Sequence, residues 1–135
     1  MVVLSEVARF DRQSVQPDKI NDGQLYLGLE DIESGGRIVG RVAVRAGELK
    51  SAKFAFDGRH ILFGKLRPNL AKVGRPDFAG ICSTDIVPIL PGPNVDRDYL
   101  AHFLLAPSTV AWSAARTSGV NLPRLSPTVL GSLDI

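Results

Sequence analysis

Short apolar runs alternate with polar residues and turn-forming residues along the first two thirds of this chain. Residues 24–32 alternate leucine with polar residues, and residues 37–44 show a similar alternation after a two-glycine turn. Such alternation predicts strands with one buried face. Residues 52–63 predict a β-hairpin, because Asp57-Gly58 between two apolar runs is the strongest two-residue turn signal in the sequence.

The pattern changes from strands to helices in the last third. Residues 80–90 are nearly all apolar and predict the most buried strand. Residues 97–106 then show helical spacing behind Asp96 as a cap, a second helix is predicted over residues 109–116, and Ser126 can cap a third. Strands first and helices later predict an α+β fold with a twisted, mainly antiparallel sheet of about five or more strands.

Length and composition limit the class of protein further. With 135 residues, 44% of them hydrophobic, the chain fits one globular domain over residues 1–135. No apolar run approaches the roughly 18 residues of a membrane span, and the first residues lack a signal-peptide order, so we expect a soluble, cytoplasmic protein. Cys82 is the single cysteine, and with His60 and His102 it offers no zinc-site spacing. We therefore expect neither a metal nor a cofactor.

The net charge of +2 conceals an uneven distribution. Residues 37–75 contain ten lysines and arginines against Glu48 and Asp57, a net charge of +8, which leaves −6 for the rest of the chain. Eleven of the sixteen basic residues are arginine, whose planar fork suits phosphates and the guanine edge. This asymmetry predicts a face that binds a polyanion such as DNA, and its alternative is a solvated basic face without a partner.

The segment HILFGKLRPNLAK lies within this basic region. In an extended chain Lys65 and Arg67 project to one side while the intervening leucine points into the core, and Gly64 allows a close backbone approach. We predict that this cation pair grips phosphates and sets register without reading sequence. The alternative is that the pair binds the domain's own acids, such as Asp85, and stabilises the fold.

Motifs for enzyme chemistry are mostly missing from the sequence, and we predict no catalytic residue. No phosphate-binding loop, dinucleotide fingerprint, nucleophile elbow or zinc-protease helix occurs. One weak match has the residue order of a metal-dependent nuclease, with Asp18, Glu48 and Lys50. That chemistry needs a rigid strand edge, whereas Glu48 and Lys50 lie in a polar stretch that predicts a turn.

Four blocks of sequence, in this order, are similar to the target recognition domains of type I restriction-modification specificity subunits. They are YLGLEDIESGGRI, ILFGKLRPNLAKV, GICSTDIVPILPG with VDRDYLAHFLLA, and TSGVNLPRLSPTVLGSLDI. The resemblance implies a non-catalytic domain that reads one half of a split site in double-stranded DNA. It also implies docking of a methyltransferase subunit, and often of a restriction translocase. The family usually continues into a spacer helix after the position where this chain ends.

Three loops are the predicted base readers, because loops can reach the edges of bases in a groove. They span residues 34–41, 45–53 and 116–126. Trp112 lies among small residues at helical spacing and is predicted to pack inside the domain. A protein-interaction module without DNA contact remains the alternative of another class. The predicted DNA contacts are Arg37, Arg41, Lys50, Lys53, Lys65, Arg67, Lys72, Arg75, Asn121 and Arg124.

Overall fold

The strands of the protein form two sheets, and the longer helices follow them along the chain. A computed structural model describes residues 2–135. Within these residues the strands are β1 Ala8–Phe10, β2 Ser14–Val15, β3 Leu25–Leu27, β4 Val42–Ala43, β5 Lys53–Phe56, β6 Ile61–Gly64, β7 Val73–Gly74, β8 Gly80–Cys82 and β9 Ile86–Pro91. The helices are α1 Leu4–Val7, α2 Arg97–Leu105, α3 Pro107–Ala114 and α4 Pro127–Gly131.

The predicted α+β class is confirmed, with two sheets where one was expected. The first sheet has the order β1-β9-β6-β7 and is antiparallel throughout. The second has the order β2-β5-β8-β3-β4, and its β3–β8 pair is parallel while its other pairs are antiparallel. The chain therefore crosses between the sheets several times before the longer helices begin.

The predicted hairpin at residues 52–63 is wrong. The turn at Asp57 does reverse the chain, but β5 pairs with β2 and β8, whereas β6 pairs with β7 and β9. The link between them is held by His60, whose Nδ1 accepts the Asp57 N–H at 3.0 Å and whose Nε2 lies 2.9 Å from the Asp11 carboxylate. All four residues of β6 are buried, so this strand occupies the centre of its own sheet.

Three predicted strands are shorter than the pattern suggests. Residues 80–90 form β8 and β9, which belong to different sheets. Residues 24–32 form only β3, followed by a 3-10 turn in which the Asp31 carboxylate accepts the Gly28 N–H at 2.8 Å. Residues 37–44 contribute only β4. The first two stretches are interrupted by local bonds, from Gly28 N–H to the Asp31 carboxylate and from Asp85 N–H to Ser83 Oγ.

The three helices of the last third are confirmed; α2 and α4 begin at their predicted caps, and α3 lies two residues earlier than the predicted range 109–116. The Asp96 carboxylate accepts the Tyr99 N–H at 2.9 Å, and the Ser126 hydroxyl accepts the Val129 N–H at 3.2 Å. Trp112 on α3 packs against the core beside the first sheet, as predicted. The starts of α2 and α4 are set by local capping residues, which can be identified directly in the sequence.

The core is divided into separate clusters of buried side chains. One cluster joins the first sheet to α2 and α4 through residues such as Ile89, Leu104 and Leu130. Another contains Leu62 and Cys82, and burial raises the pKa of the Cys82 thiol to about 12. Among residues 2–135, no helix has the length and apolar character that crossing a bilayer requires.

Candidate nucleic-acid interface

A cationic cleft opens between the loop that precedes β4 and the segment that follows β7. Its volume is about 460 Å³. We call it the arginine cleft, and its lining residues are Gly36, Arg37, Ile38, Arg41, Arg75, Asp77 and Phe78. The predicted contact Arg75 is distant in sequence from the predicted contacts Arg37 and Arg41, and the fold brings the three to this one cavity.

Backbone hydrogen bonds fix the loop that carries the first two arginines. Arg37 accepts the Glu33 N–H through its carbonyl oxygen at 2.8 Å, and Val39 donates to the Asp31 carbonyl oxygen at 2.8 Å. Gly36 has a φ of +101° and lies against the Val73 carbonyl, where a Cβ atom would overlap that oxygen. The backbone of this loop therefore packs directly against β7, and this contact places Arg37 and Arg41 at the rim of the cleft.

Arg41 stacks on an aromatic ring. Its guanidinium carbon lies 4.5 Å from the centroid of the Phe78 ring. Phe78 in turn meets Phe56 edge to face, with ring centroids 5.5 Å apart and an interplanar angle of 75°. Phe56 is buried in β5, so the second sheet supports the stacked arginine from below.

The arginines of the cleft differ in their electrostatic partners. Arg75 donates to the Asp98 carboxylate at 2.9 Å, which offsets its charge. Within residues 2–135, the ion pairs formed at 4.0 Å or less do not include Arg37 or Arg41. Both side chains are exposed, so their charges face solvent at the cleft.

A second group of predicted contacts meets at the loop that follows α3. Ser118 and Arg124 exchange backbone hydrogen bonds of 3.0 and 2.9 Å, which close the loop of residues 118–124. Arg67 donates its backbone N–H to Pro123 at 2.8 Å and its Nη2 to the Asn121 carbonyl at 3.3 Å. We call Lys65, Arg67, Asn121 and Arg124 the loop site.

Asp85 has a different partner from those considered in the sequence. Arg124 donates Nε to the Asp85 carboxylate at 2.7 Å, and because this bond favours the charged guanidinium it raises the pKa of Arg124. Lys65 meets Asp85 only through the backbone, at 2.9 Å. The expected extended geometry of Lys65 and Arg67 is also wrong, because β6 ends at Gly64 and Arg67 has a φ of +50°.

The other predicted lysines lie outside both groups. The Lys53 side chain is only 8% exposed, and its Nζ donates to Ser51 Oγ at 2.5 Å and to the Ser51 carbonyl at 3.2 Å. Lys72 donates to the Leu29 carbonyl at 2.8 Å. Lys50 is exposed. Internal hydrogen bonds therefore engage Lys53 and Lys72, whereas the Lys50 side chain faces solvent.

The nuclease alternative has no geometric support. Glu48 lies in an exposed turn, and Asp18 lies in the 3-10 turn Pro17–Lys19. In the part of the chain that the structure describes, no three His, Cys, Asp or Glu side chains come together in a way that would hold a metal ion.

Phe78 is the residue of the cleft that sequence reasoning missed. It is an isolated aromatic residue in the turn-rich stretch RPDFAG, with no periodic pattern around it. Phe78 lies between β7 and β8, and it contacts Arg41 because the fold brings this segment against the loop before β4. The one available signal was an aromatic residue directly after a region of many arginines.

Comparison with solved structures shows that this fold also occurs in chains of type I restriction-modification systems. A chain from a study of complex assembly and conformational transition in a type I system superposes with a TM-score of 0.82 at 20% identity. The HsdS subunit of Thermoanaerobacter tengcongensis superposes with a TM-score of 0.79, also at 20% identity. Each match covers 97% of this chain and 35% of the other.

A sequence relative points to the same class of protein. The chain is 29% identical over 112 residues to the EcoDI type I restriction enzyme specificity subunit of Escherichia coli. The match covers 82% of this chain but 25% of that relative, so the chain spans about a quarter of its length. No protein-family model matches the chain. The resemblance stated from the four sequence blocks is thus confirmed.

Proposed function

We propose that this chain is a DNA target recognition domain, which reads one half of a split target site. The arginine cleft carries the proposal, because it gathers three arginines from the basic region on a fold shared with specificity subunits. We further propose that residues 1–135 make up one recognition domain.

The two cationic groups have complementary tasks in this proposal. Arg37 at the cleft and Lys65 and Arg67 at the loop site contact backbone phosphates, which hold the duplex in register. Arg67 uses one donor on a neutral carbonyl group, so its charge still attracts a phosphate. Lys53 is left out of the proposed interface because it is buried and internally bonded.

The chemical steps belong to partner subunits in this proposal. A methyltransferase subunit transfers the methyl group, and a restriction translocase acts where the system has one. The residues of this chain bind and position the DNA for those partners. Incubation of the chain alone with S-adenosylmethionine and duplex DNA is expected to leave the DNA unmethylated, and methylation would contradict the assignment.

A salt titration of DNA binding tests the proposal directly. Affinity for random-sequence duplexes is measured by fluorescence anisotropy across a range of salt concentrations. We expect a slope of log affinity against log salt of about −0.9 per phosphate neutralised. Lys65→Ala and Arg67→Ala should each reduce the magnitude of this slope by about one unit on every sequence. Arg9→Ala is the matched control, since this exposed arginine lies outside the basic segment and outside the three predicted base-reading loops.

Two results would contradict parts of the proposal. Absence of any salt-dependent affinity would favour the protein-interaction alternative. If Lys65→Ala and Arg67→Ala lower thermal stability but leave affinity and slope unchanged, these two residues have a structural role and the loop site does not contact DNA.

A further inference from the structure

We propose that Arg41 reads a guanine in the major groove, with Phe78 as the residue that positions it. This inference rests on the proposed function and names a specificity contact within it. It depends on three observations: the position of the Arg41 guanidinium over the Phe78 ring, the contact of Phe78 with Phe56, and the absence of Arg41 from the ion pairs of 4.0 Å or less within residues 2–135.

Stacking orients the guanidinium group without using its hydrogen-bond donors. The N–H groups of arginine lie in the plane of the guanidinium and point outward from its edge. The Arg41 guanidinium carbon lies 4.5 Å from the Phe78 centroid, and the arginine side chains that donate hydrogen bonds within residues 2–135 do not include Arg41, so its N–H groups are available to a ligand. Guanine offers O6 and N7 as a matching pair of acceptors in the major groove. The stack also restricts the side chain in advance, which reduces the entropy lost on binding.

The neighbouring charges distinguish the role of Arg41 from that of Arg37. Arg37 is exposed at the same cleft, but the cation–π contacts of residues 2–135 do not include it. An exposed arginine without an aromatic ring against it suits a phosphate, which accepts donors over a wide range of directions. Asp77 also lines the cleft, and Asp98 offsets Arg75. These acids limit the attraction of the cleft for phosphate groups and favour a directional contact at Arg41.

A second stacked arginine in the same chain serves as a matched control. The Arg116 guanidinium carbon lies 4.4 Å from the Trp112 ring centroid, so its stacking distance is nearly the same. However, Arg116 donates Nη1 to the Trp112 carbonyl at 2.9 Å. It follows helix α3 rather than lining the cleft. Stacking alone should therefore give no guanine preference at this position.

The experiment begins with selection of preferred duplexes from a random library by the full chain. Each guanine of the preferred site is then replaced by 7-deazaguanine, which lacks the N7 acceptor. For the unmodified chain, we expect replacement at one position to weaken binding by about tenfold, within the range of a good bidentate contact. Arg41→Met removes every donor and should lose this response at that position only, whereas Arg116→Met should keep it.

The positioning role of Phe78 needs a readout that a general loss of stability would not change. Phe78→Leu should reduce the response to 7-deazaguanine while the salt slope stays the same. Phe78→Tyr keeps an aromatic ring under Arg41 and should restore the response. Thermal unfolding of both variants controls for damage to the fold.

The outcomes separate this inference from the proposed function. If no sequence is enriched and binding does not depend on salt, the proposed function fails and the role of Arg41 fails with it. If a preferred site is found but Arg41→Met responds to 7-deazaguanine as the unmodified chain does, the proposed function stands and the guanine contact is overturned. Equal discrimination by Phe78→Leu and Phe78→Tyr would overturn the positioning role.

Discussion

The arginine cleft and the loop site place cations at the surface by different physical means. In the cleft, Arg41 lies over an aromatic ring, and within residues 2–135 it takes part in no ion pair of 4.0 Å or less. In the loop site, Arg67 is tied to the opposing backbone, and Arg124 is paired with Asp85 at 2.7 Å. The first arrangement leaves directional donors for a ligand, and the second uses donors to hold the protein together.

This difference changes which residues are suited to read bases. The sequence placed Arg124 and Asn121 beside Arg41 among the candidate readers. Arg124 now has a carboxylate partner, and the Asn121 backbone is held by Arg67. Reading by Arg124 would require the loss of its bond to Asp85, whereas Arg41 would lose only contact with water. The cleft is therefore the better site for discrimination, and the loop site is the better site for attachment.

The largest expected effect comes from removing the apolar anchor of the loop site. Leu125 follows Arg124 directly, is fully buried, and donates its N–H to the Lys65 carbonyl at 2.9 Å. Leu125→Ala should lower the free energy of unfolding by about 2–5 kcal/mol, because it leaves a cavity in the core. Urea denaturation followed by circular dichroism measures this change.

Val120→Ala is the control for that variant. Val120 lies at the tip of the same loop and is 98% exposed, so its truncation should change stability by less than about 0.5 kcal/mol. Equal losses for the two variants would mean that the loop is not anchored through the core, and the contrast with the cleft would lose its basis.

Local chemistry was predictable from the sequence, and tertiary pairing was not. Asp96 and Ser126 were identified as helix caps because a cap and its amide lie within a few residues of each other. The Asp57 turn was also found, but a turn signal does not say which sheet receives the next strand. The stacking of Arg41 on Phe78 depends on the same long-range pairing. For this reason the arginines of the cleft could be predicted from the sequence, but not which of their guanidinium groups lies over an aromatic ring.

The next expected effect is at the backbone of the cleft, where two adjacent glycines provide a matched pair. Gly35 and Gly36 both have positive φ, +96° and +101°. A Cβ at Gly35 would meet nothing within 4 Å, whereas one at Gly36 would overlap the Val73 carbonyl oxygen. Gly35→Ala should cost about 1–2 kcal/mol from the left-handed backbone alone, and Gly36→Ala should cost more. Thermal unfolding of the two variants gives the comparison.

DNA binding by the Gly35→Ala and Gly36→Ala variants tests whether the backbone of the cleft determines sequence discrimination. Gly36→Ala should displace the loop that carries Arg37 and Arg41 from β7, and so reduce sequence discrimination at temperatures where the protein stays folded. Gly35→Ala should keep discrimination close to that of the unmodified chain. If both variants discriminate equally well, the seating of this loop on β7 does not determine the position of Arg41.

The smallest expected effect is a gain, produced by releasing Arg75 from its acid. The Arg75 and Asp98 side chains are 36% and 66% exposed, so their ion pair should contribute only about 0–1 kcal/mol to stability. Asp98→Asn removes a negative charge beside the cleft and leaves Arg75 available for a phosphate. If Arg75 gains one phosphate contact, the salt slope should steepen by up to about 0.9 units, with tighter binding at low salt. An Asp98→Asn variant with unchanged affinity and slope would place Arg75 outside the DNA interface and leave Arg37 and Arg41 as the contacts of the cleft.

Asp85→Asn releases Arg124 in the same way, but it also removes a bond that holds the loop site, so any gain in affinity should be accompanied by a lower melting temperature.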